Sequence, residues 1–441
     1  MEYTAGTVAQ SDASDFVPER LQGRSGLIGS IGRRDRLAIL ALCAIAFLLR
    51  LTAAIAAPGH FLAYTDYYDM ASEVARGGGY CLSPGTMCAY FPPVYPTVLA
   101  ACILMGHARW TIAAVGCLTG AATVWVIFLI GRRLFGKTTG LAAALYAAVY
   151  PYYVWHDAVI QETATLTLVV AVTMLFLIRA NRAAAPRAWL WPGCLLGLSV
   201  LTKANLVLFV PFALGWIAVS ARGAAGRRLI NVCWAALGIV LVLGPWLVRT
   251  WRITGAPVIY SNVGFSLWTS NHRLTFYYFP ERSIDDAGES EFEDLTADEK
   301  SELLATGDAQ GIRESRWYWD KGMVFIRSHP ALTLWRALYK IWIAFSPRFS
   351  PAKGWLFQVI YCVFYFPLFV LSGIGFWQAR QQWRETGYMA LLVIAFALGS
   401  AVFWAHTSHR MYVEPYLMIL SAYAVTEQVR RGRFTISAGG S

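Results

Sequence analysis

Short clusters of arginine and lysine recur along the chain at Arg33/Arg34/Arg36, Arg132/Arg133/Lys137, Arg179/Arg182/Arg187, Arg222/Arg227/Arg228, Arg380/Arg384 and Arg430/Arg431/Arg433, and most of what lies between them is apolar. Such an alternation leaves few folds open. The apolar runs need lipid or protein around them, and basic clusters at their borders stay on the cytoplasmic side of a bilayer. With 57% hydrophobic residues, 14% charged residues and a mean hydropathy of +0.47, a soluble globule with an ordinary polar surface is excluded. The formal charge of +11 does not point to nucleic acid, because the basic residues are spread between apolar runs and not gathered on one soluble face.

If every basic cluster is cytoplasmic, the runs between neighbouring clusters must come in pairs. Reading 37–57, 110–130, 140–155, 163–178, 189–201, 206–219, 229–248, 355–377, 388–404 and 412–425 as spans gives ten crossings with both chain ends cytoplasmic. The run at 94–105 reaches only about half to two-thirds of the roughly 20 residues a crossing needs, and a crossing there would reverse every later cluster. It is expected to be a juxtamembrane or half-buried helix, as is 331–345, which Arg336 and Lys340 interrupt. The expected fold class is all-α: a polytopic membrane protein with about ten transmembrane helices and two large external loops bearing juxtamembrane helices. Its parts are a cytoplasmic tail at 1–36, expected to be disordered and without a cleavable signal pattern, a first transmembrane helix at 37–57 and a first external loop at 58–109. A transmembrane core at 110–248, a second external loop at 249–353, C-terminal helices at 354–428 and a cytoplasmic tail at 429–441 complete it.

Both large loops are external on this reading, so the chemistry is expected to face outward. The first loop opens with Thr65-Asp66-Tyr67-Tyr68-Asp69-Met70-Ala71, and carboxylates beside a span are costly. Asp66 and Asp69 are three residues apart and share a face if the segment is helical. Each also has a purely local reading: Asp66 as a helix cap, Asp69 as a partner of the helix dipole. Of eight cysteines, Cys43, Cys102, Cys117, Cys194, Cys233 and Cys362 lie in apolar runs and read as small packing residues. Cys81 and Cys88 fall in the first external loop and are either a disulfide or two free thiols. The acidic run at 281–299 reads as a solvated surface or a mobile lid in preference to a metal site.

The motifs of the first loop follow one another in a distinctive order: Asp66-x-x-x-Met70-Ala71, then Ala75-Arg76-Gly77-Gly78-Gly79-Tyr80, then Phe91-Pro92-Pro93-Val94-Tyr95-Pro96. This order resembles the first external loop of the GT-C glycosyltransferases of family 39, the bacterial protein O-mannosyltransferase type, which includes the lipid A aminoarabinose transferases. The resemblance continues through Pro151-Tyr152-Tyr153 with Gln161-Glu162-Thr163, Gly197-Leu198-Ser199-Val200-Leu201-Thr202-Lys203, and Gly244-Pro245-Trp246 with Arg249. It extends to Gly264-Phe265-Ser266-Leu267-Trp268-Thr269-Ser270-Asn271, where Ser266 and Ser270 depart from the family pattern, and to His409-Arg410-Met411-Tyr412-Val413-Glu414-Pro415.

The resemblance implies a multi-pass enzyme of the inner (plasma) membrane that moves a sugar from a polyprenyl-phosphate donor to a glycan, lipid or protein acceptor on the periplasmic or exterior side. Membrane lipids are its surroundings, and nucleic acid is not an expected partner. Asp66 becomes the candidate general base, since an attacking hydroxyl must lose its proton and a carboxylate within reach can take it; one displacement then inverts the anomeric centre. Glu162 is the second acidic candidate, orienting the acceptor or Asp66, with a helix-start carboxylate as the simpler reading. Lys203 and Arg410 are candidates to meet the donor phosphate, and Asp69, Asn271 and His409 are further candidates for substrate binding. No cofactor and no metal are expected: the phosphate leaves as a stable anion, and Ala89-Tyr90-Phe91-Pro92 lacks the carboxylate that contributes to a metal site in the aminoarabinose branch. A transporter or flippase of a lipid-linked saccharide is the alternative, weakened by the absence of a clear internal repeat and of carboxylates central to the spans.

Overall fold

The computed structural model describes residues 32–57, 65–282, 284–350, 352–403 and 406–438, so most of the tail expected at 1–36 lies outside the described residues. Among the described residues the chain is helical, without strands. The first half contains α1 (Arg33–Ala56), α2 (Thr65–Ala75), α3 (Val94–Leu104), α4 (Ala108–Phe135), α5 (Lys137–Val149), α6 (Pro151–His156), α7 (Thr163–Ala180), α8 (Leu190–Thr202), α9 (Phe209–Ser220) and α10 (Ala225–Thr254). The second contains α11 (Val263–Ser270), α12 (Gly288–Glu293), α13 (Ala297–Ala305), α14 (Ile312–Ser328), α15 (Pro330–Phe345), α16 (Trp355–Gln378), α17 (Trp383–Val402) and α18 (Glu414–Ala438).

By length and composition, five segments of the described residues are able to cross a membrane: Arg33–Ala56, Ala108–Phe135, Thr163–Ala180, Ala225–Thr254 and the 48-residue Trp355–Val402, which contains both α16 and α17. The other expected spans are helical but shorter or interrupted, except 412–425, which lies largely in the 25-residue α18 with its charges Glu414, Glu427, Arg430 and Arg431. Residues 140–155 are divided between α5 and α6 because Pro151 opens a new helix, and 206–219 begins with a 3-10 turn, Ala204–Leu208, before α9. The 13 residues of α8 rise only about 20 Å.

Local chemistry sets the turns between these helices. α4 ends at Gly136, whose φ of 98° suits glycine and whose N–H bonds to Arg132 O at 3.0 Å, and α5 starts at once and doubles back along α4. α8 and α10 cross with almost no side chain between them: a Cβ on Gly193 would stand 2.0 Å from Ala235 O, and one on Gly238 2.3 Å from Leu190 O. The main core gathers buried side chains from α4, α5, α7, α17 and α18, including Ile127, Phe128, Met174, Leu392 and Tyr416. One buried ion pair ties α1 into it, with Arg50 Nε 2.6 Å from Asp157 Oδ2.

The two juxtamembrane expectations correspond to α3 and α15. α3 has 11 residues, about half of the roughly 20 a crossing needs, and packs Tyr95, Leu99 and Cys102 against Ala71 of α2 and Ile112 of α4. α15 leaves Leu334, Trp335, Leu338 and Trp342 exposed and buries Lys340, Ile343 and Ala344, the two-faced pattern of a helix lying at an interface.

The acidic run is not simply a solvated stretch or a loose lid. Thr296 and Glu299 form a reciprocal capping box that starts α13, and Leu295, Leu303, Trp268 and Tyr318 pack into one cluster beneath it. Glu281, Glu289 and Glu293 stay exposed, whereas Glu291 is fully buried with no hydrogen-bond partner on either oxygen, 3.8 Å from His272 Nδ1. Burial pushes the Glu291 carboxyl up from 4.5 to about 9, and burial with Arg273 and Arg336 nearby pushes His272 down to about 4. At neutral pH both are therefore uncharged in the folded protein, while an unfolded Glu291 ionises above 4.5. Ionisation of the unfolded state lowers stability as pH rises from 4.5 towards 9. Glu291→Gln removes that loss, so its melting temperature is expected to equal the wild type's near pH 4 and to exceed it increasingly up to pH 9, as read by thermal unfolding in detergent.

Candidate active site

Helix α2 carries the first-loop motif with Met70 and Ala71 fully buried, and Tyr67 and Val74 packed beside them, while Asp66 and Asp69 are exposed. This face-to-face division is the helical spacing of the motif at work. The inward face brings the Tyr67 ring onto Phe91, stacked at 4.0 Å, and edge-on to Tyr95 at 5.2 Å. The Tyr67 hydroxyl lies beside Glu162, whose carboxylate it helps to hold charged.

The rest of the first loop is held from two sides. Cys81 and Cys88 are joined in a disulfide, the first of the two states left open by their position. Arg249, in the last turns of α10, donates to Cys88 O at 2.9 Å and Tyr80 O at 3.1 Å, with its guanidinium 5.3 Å from the centre of the Tyr80 ring and 4.9 Å from that of Trp246. The second loop closes over the same segment, with Met87 N–H on Ala309 O at 2.8 Å and Ser261 N–H on Ala89 O at 2.7 Å.

Glu162 immediately precedes α7 and Lys203 immediately follows α8, and these helices pack against each other so that the two residues meet at one end. They form an ion pair, with side chains 6% and 17% exposed. Burial works against the Glu162 charge, but the Lys203 ammonium, with help from a backbone N–H and the Tyr67 hydroxyl, outweighs it and holds the carboxyl below its usual range. Beside the pair, Gln161 Nε2 donates to Ser408 Oγ at 3.3 Å, and Ser408 N–H donates to His406 Nδ1 at 3.1 Å. The 3-10 turn Thr407–Arg410 is thus attached to the same end of the bundle.

Removing one member of this pair strands the other. Lys203→Met is expected to lower stability by about 1.5–3 kcal/mol, the range for a hydrogen bond to a charged group, because part of the site is open to water. Glu162→Gln in the same chain is expected to recover most of that loss in thermal unfolding, leaving a folded protein without the ammonium.

Residues 91–249 match the sequence family described as dolichyl-phosphate-mannose-protein mannosyltransferase. Archaeal oligosaccharyltransferase AglB from Archaeoglobus fulgidus, in complex with an inhibitory peptide and a dolichol-phosphate, is similar in structure with a TM-score of 0.53 at 12% identity, over 93% of this chain and 53% of that one. The apo form of the Archaeoglobus fulgidus oligosaccharyltransferase gives a TM-score of 0.55 at 12% identity, over 91% of this chain and 52% of that one. The fold is that of the GT-C glycosyltransferases. ArnT from Cupriavidus metallidurans bound to undecaprenyl phosphate has a TM-score of 0.44 at 14% identity, over 90% of this chain and 78% of that one. No curated protein matches the chain. The chain spans about half the length of the archaeal oligosaccharyltransferase. Within the GT-C fold the family match encloses Glu162, Lys203 and Arg249, and Asp66 precedes it.

The remaining expected site residues lie in different surroundings. Arg410 is fully buried; its Nε donates to Glu414 at 3.0 Å, its Nη1 donates to Ala344 O at 2.6 Å, and its guanidinium lies 3.5 Å from the centre of the Tyr365 ring. Arg410, expected to meet the donor phosphate, thus has an internal counter-ion in Glu414, four residues along the chain. Asn271 is also buried, with its amide donating to Leu267 O and Val402 O, both at 2.9 Å, so that it fastens α11 to the end of α17. His409 is half-buried beside His406, and Asp69 shares the exposed face of α2 with Asp66. Tyr67 and Gln161 are contributors that the sequence does not single out: Tyr67 is one ring within the first-loop string, and the link from Gln161 to Ser408 crosses 247 residues. Among the described residues, no group of three or more His, Cys, Asp or Glu side chains is placed to hold a metal ion.

Proposed function

We propose that this protein is a membrane glycosyltransferase that takes a sugar from a polyprenyl-phosphate carrier and attaches it, with inversion, to an acceptor hydroxyl on the extracytoplasmic side of the inner (plasma) membrane. The observation that carries the reading is the docking of α2 onto the Glu162–Lys203 pair through Tyr67, the residue next to exposed Asp66. The family match to a dolichyl-phosphate-mannose-protein mannosyltransferase and the fold shared with a dolichol-phosphate-bound oligosaccharyltransferase support the donor class.

In this reading Asp66 accepts the acceptor's proton as the oxygen attacks the anomeric carbon. The new glycosidic bond forms on the face opposite the breaking bond between that carbon and the phosphate oxygen, and the carrier leaves as a phosphate anion. Lys203 meets the charge that develops on it. Glu162 is a positioning residue: it holds the ammonium and, through Tyr67, the helix bearing Asp66. Asp69 supports the acceptor side of α2, while His409, Asn271 and Arg410 hold the turn and loop that border the site.

The test uses the purified protein in proteoliposomes with a radiolabelled sugar on polyprenyl phosphate and candidate glycan, lipid or protein acceptors. Label that moves from the carrier to an acceptor supports the reading. Label that changes leaflet while remaining on its carrier would replace it with the flippase alternative.

A further inference from the structure

A second polar site lies at the other end of α7. The helix runs 18 residues from Glu162, and its rise of about 27 Å is close to the thickness of a bilayer's hydrocarbon core. At its far end a cavity of about 250 Å³ is lined by Asn181, Arg182, Trp189, Arg222, Arg227 and Asn231. These residues come from the ends of α7 and α9 and the beginnings of α8 and α10, including two of the basic clusters that border the apolar runs.

A border of arginines alone would be a topology signal and nothing more. Asn181 is different. It caps the end of α7, is 2% exposed, and neither its Oδ1 nor its Nδ2 has a hydrogen-bond partner. A buried amide with both ends unmet is costly to keep unless something occupies the space in front of it. The charge of the lining says what that is. Arg182 is paired with Glu385 at 3.0 Å, and Arg227 is held at the rim by a bond to Ala184 O. Among the described residues Arg222 has no hydrogen-bond or ion-pair partner, so the cavity keeps an excess of positive charge.

We infer that this cavity binds a phosphate group, with Arg222 and Arg227 as its charged donors and the Asn181 amide as the donor at its floor. Guanidinium forks match phosphate oxygens two at a time, and a basic pocket between helices at a membrane surface is suited to an anionic headgroup. The volume fits one phosphate with a small headgroup. A phosphorylated lipid and a free phosphate offer the same chemistry, and they are separated by experiment.

The measurement is made on delipidated full-length protein in detergent, with phosphatidylglycerol, phosphatidylcholine or inorganic phosphate added in turn, by native mass spectrometry and by thermal shift. Phosphatidylglycerol is expected to be retained and to raise the melting temperature, with phosphatidylcholine much weaker. The double variant Arg222→Gln/Arg227→Gln is expected to bind at least about tenfold more weakly, equivalent to about 1.4 kcal/mol. Asn181→Leu is expected to lose the ligand while melting no lower than the wild type without ligand, since it removes an unmet amide; this separates binding from folding. Protection by inorganic phosphate at the same residues would assign the site to a free phosphate. Equal binding of every probe by wild type and the arginine double variant, or undiminished binding by Asn181→Leu, overturns the assignment.

Discussion

Asp66→Asn is expected to fold as the wild type does and to transfer sugar about 10²–10⁴ times more slowly, the range by which a positioned general base contributes. Asparagine keeps the size of the side chain and removes its capacity to take a proton. Asp66 is exposed in the first turn of α2, so the loss of its charge at the helix start costs only about 0.3–1 kcal/mol. That is too little to unfold a helix whose other face is buried through Met70 and Ala71. A capping role makes the opposite forecast, with lowered stability and an unchanged rate. Initial rates at saturating donor, together with the donor KM and the melting temperature, separate the two. A variant that retains the wild-type rate would remove Asp66 from its assigned role.

Arg50→Ala is expected to destabilise the protein by about 3–5 kcal/mol, the cost of stranding one member of a buried ion pair. Arg50 is fully buried and Asp157 is 4% exposed. Besides the carboxylate, the guanidinium donates to Ala46 O at 3.0 Å and Ala148 O at 3.2 Å, so it joins α1 to the end of α5 as well as to the turn after α6. Truncation leaves a carboxylate and a carbonyl without their donor in apolar surroundings. Neutralising both partners, with Arg50→Met and Asp157→Asn together, is expected to recover most of the loss, because the penalty belongs to the unpaired charge and not to the missing contact. Thermal unfolding in detergent reads both variants, and a single variant as stable as the wild type would show that water already reaches the pair.

The fold was legible where it depends on local spacing. Apolar runs between basic clusters mark the helices, the short run 94–105 marks the short helix α3, and the charges in 331–345 mark α15 as two-faced. The capping box at Thr296 and Glu299 was also readable in principle, yet the many carboxylates around it made the run look solvated; what folds it is the burial of Ile284, Leu295 and Leu303 against partners distant in sequence. The site divides in the same way. Glu162 and Lys203 are identifiable as charges at helix ends, but that they pair depends on how α7 lies against α8. Tyr67 is separated from Glu162 by most of the first loop and three helices, α4 to α6, and Arg50 from Asp157 by 107 residues. For Arg410 the partner Glu414 is one helical turn away, a spacing that by itself suggests a pair, but only the packing of Ala344 and Tyr365 around it places that pair inside the protein.

The account is tested most directly by following the anomeric centre through the reaction. Wild-type protein and Asp66→Asn, each in nanodiscs, are given polyprenyl phosphate carrying a sugar labelled with carbon-13 at that position, with the acceptor identified in the proteoliposome assay, and the product signal is recorded by nuclear magnetic resonance. The expected result is a glycoside of inverted configuration formed by the wild type and nearly absent with Asp66→Asn. A product of retained configuration, or equal yields from the two proteins, would contradict it.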